Sequence, residues 1–144
     1  MRGLAAPLLF ALASSATAGE FRSIAENGTT MYDAPSVRSK KLFVASRLYP
    51  VEIVINIDNW AKVRDQAGDL AWVEKKALSD KRTVIVTAAV ADARQAASEG
   101  AVLVFQAQRG VALDLAEPPA EGWIRVRHAD GQTGYVRITQ VWGV

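Results

Sequence analysis

The sequence predicts an all-β chain: two small closed barrels in tandem, packed against each other and preceded by a signal peptide. Three observations predict it: an internal echo, short β-branched runs set between turn signals, and a brief apolar stretch at the N-terminus. In the echo, NWAKVRDQAGDLAWVEKKALS (Asn59–Ser79) is answered by GWIRVRHADGQTGYVRITQVW (Gly122–Trp142) at a spacing of 63 residues. Trp60 pairs with Trp123, Val63 with Val126, Arg64 with Arg127, Gly68 with Gly131 and Trp72 with Tyr135. Self-similarity that keeps hydrophobic, turn and aromatic positions in step marks a duplicated structural unit.

The chain opens MRGLAAPLLFALASSATAGE, with one basic residue, an apolar run from Gly3 to Ala13 and small residues at Ala16-Thr17-Ala18. That pattern is a secretory signal peptide, with cleavage expected after Ala18. The run is shorter than the roughly 20 residues of a spanning helix, so no stable membrane insertion is expected after cleavage. Residues 1–18 are thus read as the leader, 19–80 as the first barrel and 81–144 as the second. The chain has no cysteine, so in an oxidising compartment the barrels rely on core packing without disulfides.

Each unit of about 60 residues lies near the lower limit for an unaided core. The strand candidates are Phe43-Val44, Val51–Ile57, Val84–Val86, Val102–Phe105, Val111–Leu115, Ile124–Val126 and Tyr135–Ile138. Gln66-Ala67-Gly68-Asp69 and Ala129-Asp130-Gly131-Gln132 supply hairpin turns, since Asp-Gly favours left-handed backbone. Trp60–Arg64 is therefore expected antiparallel to Leu70–Glu74, and Trp123–Arg127 to Gly134–Ile138. Alternation places Ala61 and Val63 on one side of a pleated strand, although the phase at Trp60 is ambiguous. Lys75–Leu78 and Ile138–Val141 read as short 3₁₀ or helical turns closing each barrel.

The front halves match less cleanly. Tyr32–Ser36 aligns with Arg94–Ser98 at a spacing of 62, and Pro50-Val51 with Gly110-Val111 at 60. Ala88–Ala101 is Ala-rich, but the repeat places an irregular loop there rather than a helix. Pro118-Pro119 resists strand pairing and marks a long loop before Trp123. The junction Ser79–Arg82 is too short for a flexible tether, so the barrels are expected to touch at a fixed angle.

With 17 basic and 15 acidic residues, one of the former in the leader, the remainder is nearly neutral. A nucleic-acid interface needs a clustered basic face, and no such footprint is written here. Catalysis has little to work with: His128 is the sole histidine, and it reads as an exposed turn residue. Asp65, Asp69 and Asp130 read as turn formers, because a calcium loop needs six or more oxygens. No enzyme, metal or cofactor is expected.

The residues resemble bacterial SH3 domains, whose pattern runs V-R-x-G-P-S near the start and G-W-x-K-V-x-(turn)-G-x-x-G-W-V near the end. The first copy offers Tyr32–Ser36, Trp60–Arg64 and Gly68–Val73; the second offers Arg94 with Ser98, Gly122–Arg127 and Gly131–Val136. Tyr32 stands where the family has Arg, and Ala97 where it has Pro. The resemblance implies SH3-like barrels and a noncatalytic module that recognises cell-wall (peptidoglycan) peptides or another envelope protein. Candidate ligand contacts are Trp60, Trp123, Tyr32 and Tyr49 as aromatic surfaces, with Arg64, Arg94 and Arg127 as partners for carboxylates. Trp60 and Trp123 either stand open on the surface or pack across a barrel mouth or the domain interface. Trp142 is expected to dock the C-terminus against a barrel. With the leader, these readings make the protein periplasmic.

Overall fold

The computed structural model describes Gly3 and residues 19–144. The leader expected at residues 1–18 falls, apart from Gly3, outside the described residues. The remainder forms two seven-stranded antiparallel sheets. The first sheet comprises β1 (Glu20–Ile24), β2 (Thr29–Tyr32), β3 (Lys41–Ala45), β4 (Pro50–Ile57), β5 (Trp60–Arg64), β6 (Leu70–Glu74) and β7 (Leu78–Ser79). The second repeats it with β8 (Thr83–Val86), β9 (Val90–Arg94), β10 (Leu103–Gln108), β11 (Ala112–Leu115), β12 (Trp123–Arg127), β13 (Thr133–Arg137) and β14 (Val141–Trp142). Strand order is β3-β2-β6-β5-β4-β1-β7 in one and β10-β9-β13-β12-β11-β8-β14 in the other, so the duplication extends to topology.

The first hairpin has the expected register, Trp60 opposite Glu74 and Arg64 opposite Leu70. The second pairs Trp123–Arg127 with Thr133–Arg137, one residue earlier than the sequence reading. Ile138 belongs instead to the closing 3₁₀ turn, Ile138–Gln140, the counterpart of Lys75–Ala77. Three further differences have physical causes. The Ala-rich stretch is not loop throughout, because Val90–Arg94 is a strand that buries Ala91 and Ala93. β1 carried no recognisable apolar run, since Arg22 and Ser23 interrupt it. The equivalent of Gly110 is Leu48 at a spacing of 62: their amides donate at 2.8 Å to Val86 O and Ile24 O, and both have positive φ (88° and 73°).

Alternation resolves the phase at the tryptophans. Ala61, Val63, Ala71 and Val73 point inward, and Trp60, Lys62 and Trp72 occupy the other face. The cores keep their volume by exchange. Met31 of the first corresponds to Ala93 of the second and Ile24 to Val86, while Ala61 corresponds to Ile124 and Val51 to Leu113. Large and small residues have traded places at constant fold, as packing to fixed volume requires. Gly134 is part of the same adjustment, because a Cβ there would meet the Ala93 Cβ at 2.9 Å. Pro118-Pro119 limits β11 to four residues, where β4 runs for eight.

The barrels touch. Phe21 of β1 meets Trp142 of β14 edge to face, with centroids 5.3 Å apart and planes at 82°. The Arg82 guanidinium lies 5.2 Å from the Phe21 ring centroid and donates to Gly143 O at 3.0 Å. The buried Thr83 hydroxyl donates to Leu48 O at 2.6 Å, so the left-handed Leu48 belongs to this junction. Trp142 thus docks the C-terminal strand, as its position suggested.

Candidate functional site

The outer face of the first sheet gathers the aromatics. Cross-strand neighbours stand about 5 Å apart, and Tyr32 pairs with Trp72, which pairs with Lys62, in one row across β2, β6 and β5. Trp60 and Glu74 form the next row. Tyr32 and Trp60 meet edge to face, centroids 5.5 Å apart and planes at 81°, a preferred quadrupole geometry. Tyr32 is 8% exposed and serves as the backing, while Trp60 is half-buried and presents the free surface.

The second barrel builds the same place differently. Arg94 stands where Tyr32 stands, Tyr135 where Trp72 stands, and Arg137 where Glu74 stands. Trp123, a candidate for an open surface, is 9% exposed. Its cover is Arg137, whose guanidinium lies over the indole 4.6 Å from the ring centroid and pairs with Glu99. Arg94 is also committed, donating to Ala101 O at 3.0 Å and to Asp92 at 3.4 Å. Stacked and paired arginines hold their geometry, so this face is occupied by its own side chains.

The remaining candidates lie elsewhere. Arg64 pairs with Glu52 at 2.8 Å and sits at the far end of β5 from Trp60, about 13 Å along the strand. Tyr49 does not join the Tyr32–Trp60 rim: it lines a cleft between the barrels beside Asp65 and Gln66. Arg127 is exposed on a neighbouring part of that cleft. His128 is half-buried rather than exposed, its ring 5.6 Å from that of Phe105. Its Nδ1 accepts the Asp130 amide at 3.3 Å, the role that Asp65 Oδ1 plays toward Ala67 at 2.9 Å. The turn thus needs an acceptor, which explains why Asp and His interchange there. The cleft itself was invisible in the sequence, since no local pattern encodes a surface shared by two domains.

Burial raises the Tyr49 phenol above its ordinary value of 10.0, and the Asp65 carboxylate adds to it; hydrogen bonds with Gln66 act in the opposite direction, and Asp69 contributes least. The folded chain therefore holds this proton more tightly than the unfolded chain does. Its contribution to stability is complete below pH 10.0 and is lost as pH rises from there through the folded value. In a near-ultraviolet titration of the chain against Tyr49→Phe, Tyr49 is expected to ionise above 10.0, with the midpoint falling in Asp65→Asn. A midpoint unmoved by Asp65→Asn would remove that carboxylate from the cause.

The bacterial SH3 domain family model matches the chain twice, over residues 25–80 and 88–143. Among solved structures, the chain is similar to NlpC2 from Trichomonas vaginalis at 14% identity and TM-score 0.38, over 87% of this chain and 48% of that one. It is similar to NlpC1 from the same organism at 15% identity and TM-score 0.37, over 95% and 50%. An NlpC/P60 family protein from Bacillus cereus ATCC 10987 is similar at 16% identity and TM-score 0.40, over 85% and 55%. The chain thus spans about half the length of these solved structures. No curated protein matches it. Matched over most of its sequence by two consecutive copies of one domain, the chain belongs to the bacterial SH3 domain family.

Proposed function

We propose that this chain is a noncatalytic recognition module of the bacterial envelope, exported to the periplasm, that binds a cell-wall peptide through the outer face of its first barrel. The observation that carries this reading is the Tyr32–Trp60 pair: a rigid aromatic edge held by a buried tyrosine, with the indole partly free and charged Lys62 and Glu74 beside it. Aromatic anchors ringed by polar groups concentrate binding energy. The flanking ammonium and carboxylate suit the alternating charged and apolar groups of a short peptide. The second barrel, its equivalent face closed by Arg137 and Glu99, contributes position rather than contact.

The test is retention of residues 19–144 on purified peptidoglycan sacculi at low and moderate salt. Trp60→Ala is expected to weaken retention by about thirtyfold, the effect of losing a hot spot of about 2 kcal/mol, with both barrels still folded. Undiminished binding by that variant would remove the face from the site.

One observation favours a protein partner instead. The edge strand β3 exposes Leu42, Phe43 and Val44, the last at 64%. An exposed apolar edge is a template for strand addition. In this second reading the module is an adaptor for another envelope protein. Failure on sacculi together with cross-linking through β3 in the intact envelope would select it.

A further inference from the structure

A groove runs between the barrels, apart from the Tyr32–Trp60 face. Its wider part, a cleft of about 630 Å³, is walled by Phe43, Val44 and Tyr49 of the first barrel and by Ile85 and Ala112 of the second. That volume falls in the range of about 300–1,000 Å³ typical of small-ligand sites, which favour domain interfaces. Asp65 and Asp69, from the turn between β5 and β6, border this part. A narrower part of about 230 Å³ is bordered by Lys81, Arg127 and His128. Arg47 and Ala112 line both parts, so the two adjoin.

The charges in the groove are unevenly neutralised. Lys81 pairs with Asp114 at 3.0 Å, and His128 Nδ1 is engaged by the Asp130 amide. Among the described residues, the side chains of Arg47, Arg127 and Asp69 have no ion pair. Asp65 commits one oxygen, Oδ1, to the amides of Ala67 and Asp69 at 2.9 Å each. The wider part therefore carries the unspent carboxylates, the narrower part carries the unspent Arg127, and Arg47 stands where the two meet. The wider part also holds the apolar wall with its phenol.

We infer that this groove binds a short peptide with both termini free. Its ammonium lies against Asp65 and Asp69, an apolar side chain rests on Tyr49 and Ile85, and its carboxylate is held by Arg47 and Arg127. Guanidiniums grip a carboxylate through paired N–H donors. Neither barrel holds the site alone, so the site gives the tandem arrangement a chemical purpose. It does not depend on the outer-face reading, and the two are separable by mutation.

The probe is the tripeptide Ala-Leu-Ala, titrated into ¹⁵N-labelled residues 19–144, which hold every strand of both sheets. The amides of Asp69, Gly110, Ala112 and Gly131 are expected to shift along a single isotherm, while that of Trp60 stays in place. N-acetylation or C-amidation of the probe should each weaken binding about three- to fivefold, as partly exposed charge pairs do. Asp69→Asn should reduce the penalty of the acetyl group, and Arg127→Gln that of the amide. Trp60→Ala, which should weaken retention on sacculi, is expected to leave this isotherm unchanged. No shifts in the groove, equal affinity for the doubly blocked peptide, or shifts centred on Trp60 would overturn the inference.

Discussion

Trp123→Ala is expected to destabilise the second barrel by about 3 kcal/mol, the low end of what truncating a buried tryptophan costs. The indole is 9% exposed and roofed by Arg137, itself tied to Glu99. Removing the ring leaves a void under a guanidinium, so the variant loses apolar burial and the cation–π contact together. The low end applies because the cover is a side chain on the outside of a sheet, free to settle into the gap. Trp60→Ala should cost less, about 1–2 kcal/mol by the smaller area it buries, since its indole is only partly buried against Tyr32. Urea unfolding of the two variants checks the order. The companion experiment is Arg137→Ala, which should open Trp123 to acrylamide while leaving the fold intact. Equal costs for the two tryptophans, or no gain in quenching, would mean that Arg137 is not the roof described here. The pair also separates stability from function: Trp60 should matter for sacculi and less for folding, and Trp123 the reverse.

The equivalence of the two tryptophans in the repeat concealed this difference. Spacing puts Trp60 and Trp123 at the same point of the same hairpin; the first hairpin has its expected register, and the second is one residue off. What spacing cannot convey is the neighbour across the sheet. Glu74 and Arg137 are equivalent positions of opposite charge, and only the arginine stacks on an indole. Likewise Tyr49 and Asp65 are distant in the chain and meet at a cleft. Leu48 takes a backbone conformation that its counterpart Gly110 announces and leucine does not. Local alternation and turn chemistry were legible because they act within a few residues. The closed face and the groove depend on contacts between elements and between barrels.

The junction of the barrels carries the other large effect. Trp142→Ala is expected to cost about 2 kcal/mol by the apolar area it buries and to split a single unfolding transition into two. Phe21 and Trp142 supply an aromatic contact across the junction, with Arg82 over the Phe21 ring. Around it the backbone leaves little room: Gly143 has φ 115°, and a Cβ there would meet Thr83 O at 2.9 Å and Pro50 Cβ at 3.2 Å. The chain thus threads its last strand between the barrels, and the indole is the largest side chain anchoring it. A double-mutant cycle with Phe21→Ala should return a coupling of about 1 kcal/mol, as edge-to-face pairs do. Differential scanning calorimetry distinguishes the outcomes, since two separate transitions imply that the barrels no longer fold as one cooperative unit. A single transition in Trp142→Ala would show that Thr83–Leu48 and the Gly143 packing suffice to couple them. If the transitions do separate, peptide binding in the groove should fall with them, because its carboxylate clamp joins Arg47 of the first barrel to Arg127 of the second, while retention through Trp60 should persist.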